Sequence, residues 1–79
     1  MTKLKKMRES RGLSQSQLAK MSGVSLRALQ YYEQGRLNFN GAKVDKIFSI
    51  AFALGCDVED ILSDEKAIAA ISKYQNQEV

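Results

Sequence analysis

Apolar residues recur along this chain at helical rather than strand spacing. Val44, Ile47, Phe48, Ala51 and Leu54 mark one side of a helix. Ile50 and Phe52 stand off that stripe, so burial of this helix on more than one side is expected. Leu13-Ser14 with Leu18, Val24-Ser25 with Leu29, Phe39-Asn40 with Val44, and Cys56-Asp57 with Ile61 repeat one spacing. An apolar residue precedes an N-cap, and a second occupies the fourth helical position, as in a hydrophobic staple. Ser14 and Gln17 add the spacing of a capping box. Gly12, Gly23, Gly35 and Gly55 punctuate the helix ends. The pattern predicts an all-α chain, with helices near 2–11, 14–22, 25–33, 41–54 and 58–62. A sixth helix is expected near 64–75, with Ala67, Ile68, Ile71 and Tyr74 on one face. Residues 1–62 are expected to form one domain. Residues 63–79 then form a C-terminal helix and tail that docks on that domain or on a second copy.

The stretch from Ser14 to Glu33 is the most specific. Ala19 precedes Gly23 by four residues, and Leu29 follows Gly23 by six. That is the spacing of a helix-turn-helix, which lays its second helix in the DNA major groove. Two helices crossing at a short turn need a small side chain where their backbones approach, and Ala19 supplies it. Gly23 can adopt the left-handed conformation that ends the first helix. Leu18, Leu29 and Tyr32 are placed to fill the angle between the two.

Successive helical residues lie about 100° apart. With Leu29 at zero, Tyr32 and Glu33 fall within about 60° of it, on the inner side. Arg27, Gln30, Tyr31 and Gln34 cluster opposite, and Leu26 lies between the two faces. The outer face carries donors, acceptors and one aromatic ring. Arg can pair bidentately with guanine and Gln with adenine, and Tyr31 can touch a thymine methyl or donate to a phosphate. Ser25 caps the end that would enter the groove. Gln15 would open the preceding helix, where its side chain and nearby N–H groups can hold a phosphate. Arg36 and Lys43 flank the motif and are further candidates for the DNA backbone.

Glu33 points inward by the same angular argument, and a buried carboxylate needs a partner. Arg8, on the first helix beside inward-facing Leu4 and Met7, is the candidate. An Arg8–Glu33 ion pair is expected, architectural rather than catalytic.

Charge sharpens this picture. Residues 1–36 hold eight Lys and Arg against two Glu, a net charge of +6, whereas residues 37–79 carry −3. The basic half is the half with the helix-turn-helix, and a polyanion is its natural partner. With 79 residues and 44% hydrophobic content, the chain is long and apolar enough for one small globular core. No apolar run approaches the ~20 residues of a membrane span. The N-terminus does not read as a signal peptide. One cysteine and no histidine give no disulfide and no structural zinc site, and a reducing cytoplasm fits. No nucleophile has an evident base, so neither catalytic residue, metal nor cofactor is expected. Cys56 reads as a small buried apolar residue, and Asp57, Glu59 and Asp60 as acids at a helix N-terminus.

The segments Met7–Gln15, Leu18-Ala19, Gly23-Val24-Ser25, Tyr32-Glu33-Gln34-Gly35 and Ala53-Leu54-Gly55-Cys56 resemble the lambda-repressor-like, Cro/C1-type (Xre family) DNA-binding domains. The similarity runs from about Leu4 to Leu62. It implies a five-helix domain that binds a palindromic operator as a homodimer and represses transcription. It also implies that Gln15 holds a phosphate, that Ser25, Leu26, Arg27 and Tyr31 approach the bases, and that Arg8 and Glu33 form a salt bridge. The segment from Gly35 to Gly55 departs from the family: it runs longer than usual and lacks the usual Pro before the fourth helix. A different role open to such domains is that of an antitoxin, which would bind a toxin or another protein partner through its C-terminal helix.

Overall fold

The structure, a computed structural model, describes residues 2–63 and 68–69. Among the described residues four full α-helices are present and no strand: α1 (Lys3–Ser10), α2 (Gln15–Ser22), α3 (Leu26–Gln34) and α4 (Val44–Leu54). Single 3-10 turns at Phe39–Gly41 and Val58–Asp60 complete the described elements.

Local chemistry explains the starts of α1, α2 and α3. The Thr2 hydroxyl accepts from the Lys5 amide at 3.1 Å and opens α1. At α2 the capping box closes in both directions. The Gln17 amide donates to Ser14 Oγ at 3.0 Å, and the Ser14 amide donates to Gln17 Oε1 at 2.8 Å. Ser25 accepts from the Ala28 amide at 3.1 Å and opens α3. Between α2 and α3 the chain turns on Gly23, at φ 75°, whose amide donates to the Ala19 carbonyl at 2.9 Å. A side chain there would strain the left-handed backbone although the space around it is open.

The core sits where α2 crosses α3 and α4. Leu18 and Leu29 are fully buried at its centre, with Ile47, Ile50, Ala51 and Leu54 of α4 below them. Leu4 of α1 closes one side, and Val58, Ile61 and Leu62 close another. Truncating a side chain such as Leu18 to Ala would cost about 2–5 kcal/mol.

Two helices are shorter than the apolar pattern suggests. α4 begins at Val44 rather than near 41, and the staple from Phe39-Asn40 to Val44 is not made. Asn38, not Asn40, caps the turn over Phe39–Gly41, and Lys43 stands at the start of α4 without a side-chain cap. The cause is tertiary. Phe39 is buried against Tyr32, ring centroids 5.1 Å apart, and this pairing directs the chain before α4. The irregular stretch falls in the segment that departs from the family spacing.

The fifth helix expected at 58–62 is a single turn. Val58, Ile61 and Leu62 all enter the core, and Lys3 Nζ donates to the Glu59 carbonyl and, at 2.8 Å, to that of Leu62. The Ser63 amide, which would bond back to the Glu59 carbonyl in a longer helix, donates instead to Asn40 Oδ1 at 3.0 Å.

On α4, Ile50 is buried off the main stripe, whereas Phe52 is 90% exposed. Phe52 stands about 140° around the helix from Ile47, outside the arc that α2 and the 58–62 segment cover. Most of the sixth helix expected near 64–75 lies outside the described residues. Ile68 and Ala69 are helical, and Ile68 is half-buried against the core.

Candidate nucleic-acid interface

The second helix of the motif, α3, is strongly two-sided. Leu29, Tyr32 and Glu33 are buried, whereas Arg27 and Gln34 are exposed and Gln30 and Tyr31 half-buried. Leu26 is partly exposed at the first helical position, beside the capping residue Ser25. Ser25, Leu26 and Arg27 are therefore grouped at the N-terminal end of α3, and Gln30, Tyr31 and Gln34 extend along its outer side.

Arg36 follows α3 immediately. Its guanidinium carbon lies 5.4 Å from the centroid of the Tyr31 ring, a cation–π contact. Its amide donates to the Tyr31 carbonyl at 2.9 Å. Arg36 is thus folded back onto the outer face of α3. Lys43 is exposed at the N-terminus of α4.

Behind this face lies a three-helix hub. Arg8 Nε donates to Glu33 Oε2 at 2.7 Å, and Arg8 Nη2 donates to Glu33 Oε1 at 3.0 Å. The two side chains are only 9% and 1% exposed. The hydrogen bond with Glu33 raises the guanidinium pKa above its ordinary value. Burial opposes that rise, and the charges of Glu33 and Glu9 add to it. Arg8 Nη1 also donates to the Leu13 carbonyl at 2.7 Å, just before the α2 cap. One guanidinium therefore fixes α1, the start of α2 and the inner side of α3 together.

The sequence pattern did not reveal the third member of this hub. Gln15 Nε2 donates to Glu33 Oε1 at 3.1 Å. The capping box employs Gln17 and leaves the Gln15 side chain available. An inward Glu33 and the first residue of α2 were both legible, but not that they meet.

The charge count also changes meaning once folded. Arg8 is neutralised by Glu33. Lys3 is bonded to the carbonyls of Glu59 and Leu62. Arg11 Nε donates to the Leu54 carbonyl at 2.8 Å, where α4 ends. These cations support the fold, leaving Lys20, Arg27, Arg36, Lys43 and Lys46 as the exposed cations on and between α2, α3 and α4.

The sequence model of the helix-turn-helix family matches residues 4–61. The chain belongs to the Cro/C1-type helix-turn-helix family. No curated protein and no solved structure gives a significant match. Members of the Cro/C1-type family are DNA-binding regulators. The match spans α1 through Ile61, and so includes the hub, α3 and the irregular segment before α4. Among the described residues of this Cro/C1-type domain, no cluster of three His, Cys, Asp or Glu is arranged to hold a metal. Among the same residues, no helix is long and apolar enough to cross a membrane.

Proposed function

We propose that this chain is a sequence-specific double-stranded DNA-binding protein, a cytoplasmic transcriptional repressor that acts as a homodimer on a palindromic operator. The outer side of α3 carries the proposal. Polar side chains project from a helix whose opposite side is locked by Leu29, Tyr32 and Glu33. Ser25, Leu26, Arg27, Gln30 and Tyr31 are assigned to the base edges. Gln15, Gln34, Arg36 and Lys43 are assigned to phosphates, which fix register without reading sequence. Arg8 and Glu33 set the angle of α3 and contact no base.

One such module buries about 600–1,000 Å² of surface, too little for tight specific binding. Two copies with recognition helices about 34–36 Å apart would read half-sites one helical turn apart. The competing antitoxin role would need residues 63–79 to engage another protein. Ile68, half-buried against the domain's own core, favours docking in cis.

Selection of bound duplexes from a random library tests the proposal, followed by anisotropy titration of the winner at several salt concentrations. A palindromic winner favoured over random DNA by about 10³ or more is expected. Binding that depends on salt alone would overturn it.

A further inference from the structure

Gln15 is anchored by the carboxylate that Arg8 neutralises. We infer that Glu33 is a positioning residue for DNA-backbone capture: it holds the Gln15 carboxamide in one orientation at the N-terminus of α2, ready to donate to a phosphate. The inference rests on the assignment of Gln15 to a phosphate made above.

The chemistry fixes the orientation. An ionised carboxylate only accepts, so the Gln15 atom 3.1 Å from Glu33 Oε1 is the NH₂ nitrogen. That nitrogen carries two hydrogens. One is used by Glu33, leaving the other for a phosphate oxygen. Gln15 is half-buried, so its nitrogen is held close to the surface. An unanchored Gln would lose rotamer freedom when it bound a phosphate, whereas this one has lost it on folding.

Charge explains why the anchor does not repel the DNA. Both Glu33 oxygens accept from Arg8, at 2.7 Å and 3.0 Å, so a carboxylate stands behind the phosphate position without presenting a bare negative charge. The side chain of Glu33 is 1% exposed, which keeps it from touching the DNA itself. Glu33 therefore acts through Gln15. The same carboxylate ties the N-terminus of α2 to α3, so phosphate capture and base reading share one rigid reference.

A double-mutant cycle tests this. Gln15→Ala is made in the wild type and in an Arg8→Met/Glu33→Leu background, which removes the anchor but fills its space with apolar groups. In the wild type, Gln15→Ala is expected to weaken binding about tenfold, alike for every duplex sequence. In the anchorless background the same change is expected to cost less than about twofold. Equal losses in both backgrounds would overturn the positioning role. No loss in the wild type would instead overturn the phosphate assignment. A readout on the unmodified protein stands beside the cycle: the NMR order parameter of the Gln15 side-chain amide without DNA. A value above about 0.6 is expected, and a lower one would overturn the inference.

Discussion

Arg8 and Glu33 meet as a bidentate fork across α1 and α3, with Nε 2.7 Å from Oε2 and Nη2 3.0 Å from Oε1. Removing either member strands the other. Arg8→Met would leave Glu33 buried with only Gln15 donating to it, and would also free the Leu13 carbonyl. A loss of about 3–5 kcal/mol is expected, a large share of the ~5–15 kcal/mol that holds such a domain. Arg8→Met with Glu33→Leu should recover most of that loss, because no charge is then left unpaired. Urea unfolding of the two variants checks both statements.

Arg27 is exposed on the outer side of α3, and no core contact depends on it. Arg27→Ala should change stability by less than about 0.5 kcal/mol. On DNA it should flatten discrimination at one base-pair position by about 1–3 kcal/mol and leave the other positions as selective as before. Titrations of the selected operator and its single-base variants measure this. A loss spread evenly over all sequences would reassign Arg27 to the DNA backbone.

The legible parts of this protein were the local ones. Ser14, Ser25 and Gly23 act within a few residues of their own position, so their spacing carried enough to place α2, the turn and α3. The inward angle of Glu33 was legible for the same reason, since three residues of one helix fixed it. The Phe39-Asn40 pair failed because Phe39 answers to Tyr32, a partner set by the tertiary fold. The 58–62 segment failed similarly, because the Ser63 amide that a longer helix would need donates to Asn40, 23 residues away in the chain. Gln15 lies between these cases. Its place at the start of α2 could be read from the capping box, but its hydrogen bond to Glu33 exists only once the helices cross.

Cys56 is half-buried after α4, and burial pushes its thiol pKa up. The charges of Asp60 and Asp57 act in the same direction, and that of Arg11 opposes them. The fold therefore favours the neutral thiol over the thiolate. The stabilisation is fully present below the unfolded thiol pKa and is lost as pH rises through the folded one. Alkylation by iodoacetamide, which needs the thiolate, should be slower in the folded protein than in urea at pH 8, with its midpoint moved to higher pH. Equal midpoints in the two states would contradict this environment for Cys56.

Among the described residues, Phe52 is the largest apolar group left in the open, and its position limits what it can do. It is 90% exposed on α4, beside half-buried Phe48 and close to Met21 and Ser22. Met21 and Ser22 close the C-terminal end of α2, about 10 Å along that helix from Gln15. Phe52 therefore lies away from the proposed phosphate contact and contributes little to the core. Phe52→Gln should change the unfolding free energy by less than about 0.5 kcal/mol and leave DNA affinity unaltered. Phe39→Ala, which empties a buried ring position, should cost about 3–5 kcal/mol by comparison. Both are read from urea unfolding at two protein concentrations. A concentration-dependent loss above about 1 kcal/mol for Phe52→Gln would mean that a second copy covers this ring in solution, because only an association term changes with concentration.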